Sequence, residues 1–515
     1  MAETVETAAL AGRREWVGLG ILSIACLIYS MDLSVLFLAI PAIVADLQPS
    51  AAEILWINDI YGFMVAGFLV TMGTLGDRIG RRKVLLIGAA AFGAASVMVA
   101  FSTSAHMMII ARALQGIAGA TIAPSTLSLI VNMFRDENQR NRAIGIWGTA
   151  FSIGGLIGPV IGGALLEFFH WGSVFLINVP IMLALLLTAP SLLPEYKSPT
   201  SGKLDLISVA LSLGAVLPVI YGLKEVAAYG LHPEPFLAVA LGIAVGVAFV
   251  RRQNTLTDPM IDLALFKVPA FNASLMVNLA GVFFVFGIFF FQNQYLQLVL
   301  GLSPLDAGLW SFAPSLVFTF MSLHAWRVTE RFGAVPSVIG GLLINALGAA
   351  VMGLAAYTQS LYGILGASMI IGLGFVPVIL TTTGLIVGSA PPERAGAASA
   401  ISETSAEFGG ALGVALLGSL GTLIYRAMMA GVDVSALPAN AAAASRATLG
   451  GAVEEAKKLA GADLSAAHLG FLDTARQAFA TGFAATCIVA AVTLVFLAWL
   501  AARVFAGTEV KPAGH

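Results

Sequence analysis

"GDRIGRRKVLLIG", residues 76–88, returns in weakened form as "TERFGAVPSVIGG", residues 329–341. At an offset of 253, Asp77 aligns with Glu330, Arg78 with Arg331 and Gly80 with Gly333. Further along, "GIAGATIAPSTLSLI" (116–130) meets "GLGFVPVILTTTGLI" (372–386) at an offset of 256, and "NRAIG" (141–145) meets "ERAGA" (393–397) at 252. One such match could arise by chance. Three at near-equal offsets in the same order indicate a duplicated unit.

The composition says where that unit resides. Of 515 residues, 58% are hydrophobic and 10% charged, against about 25% charged in an ordinary soluble domain. A membrane-crossing helix needs about 20 apolar residues. On that basis the chain divides into fourteen spans at roughly 16–42, 54–75, 84–103, 107–131, 142–166, 172–193, 205–224, 235–250, 269–297, 304–325, 335–357, 360–388, 397–424 and 476–504. The expected fold is an all-α polytopic membrane protein in which spans 1–6 are repeated as spans 9–14. Residues 1–193 then form one six-helix bundle, 194–268 a linker with two inserted spans, 269–504 a second bundle and 505–515 a tail. In the connection at about 425–475, Ala-rich runs with Leu469, Leu472 and Phe479 at helical spacing predict short amphipathic helices outside the membrane. Parallel six-helix repeats build a cavity between two bundles near the bilayer midplane and rock around it, which argues for a transporter.

Lysine and arginine gather in "RIGRRK" (78–83), "RDENQRNR" (135–142) and later loops on the side of the termini, so both termini are expected in the cytoplasm. A net charge of −2 without a basic stripe argues against nucleic acid. The six histidines lack metal-ligand spacing, the two cysteines (Cys26 and Cys487) lie in separate apolar runs, and there is no P-loop. No metal, cofactor or ATP is therefore expected.

"GTLGDRIGRRK" (73–83) resembles the loop 2–3 signature of the major facilitator superfamily, "RALQGIAGA" (112–120) its fourth-span motif and "GGLIGPVIGGALL" (154–166) its antiporter motif. With "MDLSVLFLAIP" (31–41), "LWINDIY" (55–61) and "HWGSVFLINVP" (170–180), the chain is similar to the fourteen-helix drug:proton antiporters of the QacA and SmvA kind. That resemblance implies a monomer with the major facilitator fold in a bacterial inner membrane. It would export lipophilic and quaternary-ammonium cations, such as dyes and biocides, in exchange for protons. Export of a single antibiotic or of an endogenous lipid or metabolite is the alternative. A membrane enzyme or a transporter-like sensor has less behind it, because neither a nucleophile–base pair nor a soluble signalling domain is evident. Gly73, Gly76, Asp77, Arg78, Gly80, Arg81 and Arg82 are assigned to gating. Their glycines permit a tight turn, and Asp77 is expected to meet a helix N-terminus or a cation of the other bundle. The cations read equally well as inside-loop anchors. In the antiporter motif, Gly154, Gly158 and Gly162 form one stripe for close helix approach, beside Gly163 and a bend at Pro159.

Four acids stand inside the spans: Asp32, Asp59, Glu403 and Glu407, with Arg112 as the clearest intramembrane cation. A charge near a span centre costs on the order of 2.5–3.5 kcal/mol, so it is functional by default. Asp32 and Glu407 count to mid-membrane and Asp59 to a level nearer the outer surface. Glu403 and Glu407, four apart, share a helix face and are expected to hold a proton between them. All five are assigned to proton coupling and cation binding, the competing reading being a structural Asp32–Arg112 ion pair. In span 9, Phe286, Phe290 and Asn293 form a stripe with Gln294 beside it. Together with Tyr29 and Trp56 these are expected to line a cavity whose aromatic faces suit flat cations. A lipid-facing helix would show the same stripe.

Overall fold

The computed structural model describes residues 10–197, 205–229, 233–256, 259, 263–389, 395–432, 439–460 and 466–505, which contain helices and no strand. The first half comprises α1 (Arg13–Leu47), α2 (Ala51–Ile79), α3 (Arg81–Ala100), α4 (Ala105–Gly119), α5 (Ile122–Met133), α6 (Glu137–Phe168), α7 (Ser173–Leu176) and α8 (Asn178–Leu192). An inserted pair follows, α9 (Leu206–Tyr229) and α10 (Pro233–Thr255). The second half comprises α11 (Pro269–Gln294), α12 (Pro304–Phe332), α13 (Ala334–Tyr357), α14 (Leu361–Gly388), α15 (Ala395–Met429), the short α16 (Ala439–Ala447) and α17 (Leu449–Ala460), and α18 (Ala466–Phe505). The long helices are largely apolar on all sides, as a bilayer requires, because lipid offers no hydrogen bonds and the backbone must satisfy its own, whereas α17 (LGGAVEEAKKLA) is amphipathic.

Among the described residues, twelve stretches are helical, long and apolar enough to cross a membrane. The predicted spans at 205–224 and 304–325 are also helical but are not among the twelve. The first lies in the 24-residue α9, and in α12 serine, threonine and proline dilute the apolar residues. The fourth span is broken between α4 and α5, and the last begins at Ala466, ten residues before its expected start at 476. The long connection contains the short helices α16 and α17, but Leu469, Leu472 and Phe479, on which short helices were expected, lie in the long α18.

The duplication is visible in the packing. In the first half α1 packs on α6, α2 on α4 and α3 on α8; in the second, α11 packs on α15, α12 on α14 and α13 on α18. The aligned glycines Gly80 and Gly333 both have positive φ, +119° and +87°, at the breaks between α2 and α3 and between α12 and α13. Side chains disfavour that region, so both copies keep the residue without one. The halves meet through α6 against α12 and α2 against α15. Their contacts gather at one end. Gln297 Nε2 donates to Leu38 O at 2.9 Å, the Gly163 backbone lies against Pro304, Gly308 against Pro159, and Gly418 against Leu55. The opposite end carries the basic loops, where Arg82 Nη1 bonds the carbonyls of Pro190 and Leu193 and Arg14 Nη2 that of Ser191.

Candidate functional site

Asp32 and Arg112 are 2% and 0% exposed. Arg112 Nη1 donates to Asp32 Oδ2 at 2.7 Å and to Gln115 Oε1 at 2.8 Å. Asp32 Oδ1 accepts from Gln115 Nε2 at 3.0 Å and from Asn178 Nδ2 at 2.8 Å. Both amides also reach Ser96 Oγ. A three-residue step puts Arg112 and Gln115 on one face of α4, and the network ties α1, α3, α4 and α8 together. The guanidinium also lies over the Tyr61 ring, 4.5 Å from its centroid. The ion pair foreseen as the competing reading is therefore present, and Asp32 faces the interior of its own bundle. Gln115, Asn178 and Ser96 were missed by sequence reasoning, although two of them stand inside quoted motifs. The available signal was that an amide in an apolar span needs a polar partner.

Arg112 also faces a second space. A chamber of about 170 Å³ lies between the halves, walled by Leu33 and Phe37 of α1, Asp59 of α2, Arg112, Phe286 of α11 and Gly410 of α15. Asp59 is 1% exposed, covered where α11 and α15 of the second half border the same chamber. Arg112 Nε and Nη2 make no hydrogen bond among the described residues. The side chains of Glu403 and Glu407 lie outside the described residues; both positions are in α15, and Ala406 and Gly410, which flank position 407, border the chamber.

Leu33, Phe37 and Phe286 also border a larger cavity of about 450 Å³ between α1, α6, α11, α12 and α14. Its aromatic walls include Phe151, Phe286, Phe289, Phe318 and Phe375, and Asn293 and Gln292 join them. Of the predicted lining, Phe286 and Asn293 are in place. Tyr29 instead packs near Tyr61 and Phe151, with ring centroids 6.2 and 6.0 Å apart. Trp56 packs on the Phe63–Ile220–Ala415 cluster where α9 meets α2 and α15. Phe290 and Gln294 border a gap of about 30 Å³ near α17 at the contact end. The reason is angular. A one-residue step turns about 100° around the helix, so Phe290 and Gln294, each one position past Phe289 and Asn293, point away from the face that carries those two.

At the basic end, Arg81 Nε donates to Asp77 Oδ1 at 2.8 Å, and its backbone N–H donates to Tyr196 O at 2.9 Å. Asp77 thus meets the side chain of Arg81, the first residue of α3, where a helix N-terminus or a cation of the other bundle was expected. A Cβ on Gly76 would lie 2.8 Å from Arg81 Cδ, whereas one on Gly73 would meet nothing closer than 3.9 Å. Arg78 is exposed. The antiporter motif has two faces: Gly154, Gly158 and Gly162 lie against Leu27, Ser34 and Val35 of α1, whereas Pro159 and Gly163 lie against α12 of the other half.

Two helical halves that enclose a cavity, meet closely at one end and repeat one pattern of pairing define a multi-pass membrane transporter. The chain belongs to the Major Facilitator Superfamily, whose sequence profile matches residues 22–414. It is 42% identical to the multidrug efflux pump LfrA of Mycolicibacterium smegmatis over 94% of each chain. It is 33% identical to the methyl viologen resistance protein SmvA of Salmonella typhimurium over 90% of this chain and 93% of that one. The tetracenomycin C resistance and export protein of Streptomyces glaucescens is 33% identical over 79% of this chain and 76% of its own. A bacterial homologue of the lysosomal transporter Spinster, solved inward-facing and unoccupied, shares the fold with a TM-score of 0.70 at 17% identity, covering 98% of this chain and all of that one.

Proposed function

We propose that the protein is a proton-coupled multidrug exporter of lipophilic and quaternary-ammonium cations, working in a bacterial cell membrane as a monomer with cytoplasmic termini and without ATP or another cofactor. The observation that carries this reading is the buried acid–guanidinium chamber, Asp59 with Arg112, sharing a wall with an aromatic cavity. The relatives named as efflux pumps and resistance proteins support it. With the basic end in the cytoplasm, the contact end faces outward and the conformation is inward-facing. A cation enters the aromatic cavity from inside. Protons taken up at Asp59, and at Glu403 and Glu407, change the charge that Arg112 meets in the chamber. Arg112, held by Asp32 on its other side, links that change to the packing of the first half. Inward proton movement can then drive the halves apart at the contact end, supplied by about 2.3 kcal/mol per charge per 100 mV.

Dye efflux from cells producing the protein tests this. Export of a cationic dye should be abolished by a protonophore while cellular ATP is maintained. Efflux that persists without a proton gradient would overturn the coupling. The tetracenomycin relative favours a second reading, export of a single antibiotic. A substrate panel separates the two, because a single-product exporter would leave dyes and biocides inside.

A further inference from the structure

The larger cavity holds no charged side chain among its described lining residues. Four hydroxyl groups, Ser311, Ser315, Thr319 and Ser322, run along one face of α12 and line it. Each donates its only proton to its own helix: Ser311 to Ala307 O at 2.7 Å, Ser315 to Ser311 O at 2.9 Å, Thr319 to Ser315 O at 3.0 Å and Ser322 to Phe318 O at 3.0 Å. A hydroxyl has one donor and two acceptor sites. These four therefore turn only lone pairs toward the cavity, and donation into a helix carbonyl polarises the oxygen further.

A second observation is independent of that helix. Gln292 of α11 is 4% exposed and lines the same cavity. Ser368 Oγ donates to Gln292 Oε1 at 2.9 Å and lies at the same distance from Ile364 O. Asn293 Nδ2 likewise donates to Phe289 O at 3.2 Å, which leaves its oxygen as an acceptor.

We propose that this ladder of acceptors on α12, completed by Asn293, is the charge-selective element of the drug cavity: it favours cations through oxygen lone pairs, needs no N–H on the ligand, and rejects anions without a carboxylate among the described lining residues. This rests on the cation-export reading above and adds the residues that enforce it. A quaternary cation lacks N–H donors, so a carboxylate that is protonated in one state of the cycle holds it weakly at that moment. The ladder keeps its polarity whatever the chamber's protonation, and so retains the substrate while protons exchange next door.

The test uses the full-length protein in nanodiscs and two probes of matched size and opposite charge, tetraphenylphosphonium and tetraphenylborate. The wild type is expected to bind the cation and not the anion. The variant Ser315→Ala, Thr319→Val, Ser322→Ala removes three oxygens, and its affinity for tetraphenylphosphonium should fall about tenfold, at a few tenths of a kcal/mol or more for each acceptor. Its discrimination against tetraphenylborate should narrow by a similar factor. The hydroxyl-preserving variant Ser315→Thr, Thr319→Ser, Ser322→Thr should stay within about twofold of the wild type, since it keeps all three acceptors. Each single removal, read separately, should lower cation affinity in the same direction. Unchanged or tighter cation binding in the three-oxygen variant and in the single ones would overturn the ladder while leaving cation export standing. A wild type that ignores tetraphenylphosphonium would overturn the cation reading itself.

Discussion

At the scale of single residues, the Asp32–Arg112 pair and Asp59 should respond differently to losing their charge. Asp32→Asn leaves a fully buried guanidinium without its carboxylate, and breaking a buried pair costs about 3–5 kcal/mol. Efflux should disappear, and the purified variant should unfold at lower denaturant. Adding Arg112→Gln should recover much of the lost stability without recovering transport. A double variant as unstable as the single one would show that the pair's charge balance is not what holds α1 to α4. Asp59→Asn is expected to fold with near-normal stability but to lose transport driven by an imposed pH gradient in proteoliposomes. Gradient-driven transport that survives in it would remove Asp59 from coupling. Asp59 was legible as a candidate because a carboxylate in an apolar run is conspicuous. Its burial was not, since the helix that covers it lies more than 300 positions away in sequence.

Whole elements separate the two faces of the antiporter motif. A Cβ on Gly163 would sit 2.5 Å from Pro304 O across the halves. Gly163→Ala should therefore loosen the contact end and raise the population open there, read as longer spin-label distances between the ends of α6 and α12. Gly154 instead faces Leu27 O within its own bundle. Gly154→Ala should lower stability by about 1–3 kcal/mol through overpacking, without a change in those distances. The inserted pair supplies a pH prediction. At the start of α9, burial alone would raise the Asp205 carboxyl, but hydrogen bonds from Arg252 and Ser208 prevail and hold it at about 2, below the ordinary 3.8. A depressed pKa means that its stabilisation is complete above about pH 4 and is lost as pH falls through 2. The difference in thermal midpoint between wild type and Asp205→Asn should accordingly be constant from pH 7 to 4 and vanish toward pH 2. A difference that is flat across the acid range would dismiss the Asp205–Arg252 contact as a contributor.

For the molecule as a whole, conformational balance depends on few bonds across the contact end. Gln297→Leu deletes the hydrogen bond to Leu38 O. A net bond of about 1 kcal/mol corresponds to about a fivefold shift toward the form open at that end, measurable by single-molecule fluorescence between the two halves. An unchanged distribution would mean that apolar packing alone seals the end. The sequence by itself determined the membrane setting, the helical runs, the duplication and the family, because hydropathy and repetition are local properties that a bilayer converts directly into spans. It also singled out the buried acids and Arg112, since charge in lipid is costly enough to stand out one residue at a time. Only the tertiary structure decided which of them meet. Asp32 takes Arg112 as partner through α4, Asp59 comes under the second half, and Phe290 and Gln294 turn away from the cavity while Phe289 and Gln292 turn toward it. Those outcomes depend on helix rotation and on contacts between segments hundreds of residues apart. In chains apolar on every face, no amphipathic stripe announces which side of a helix will look inward.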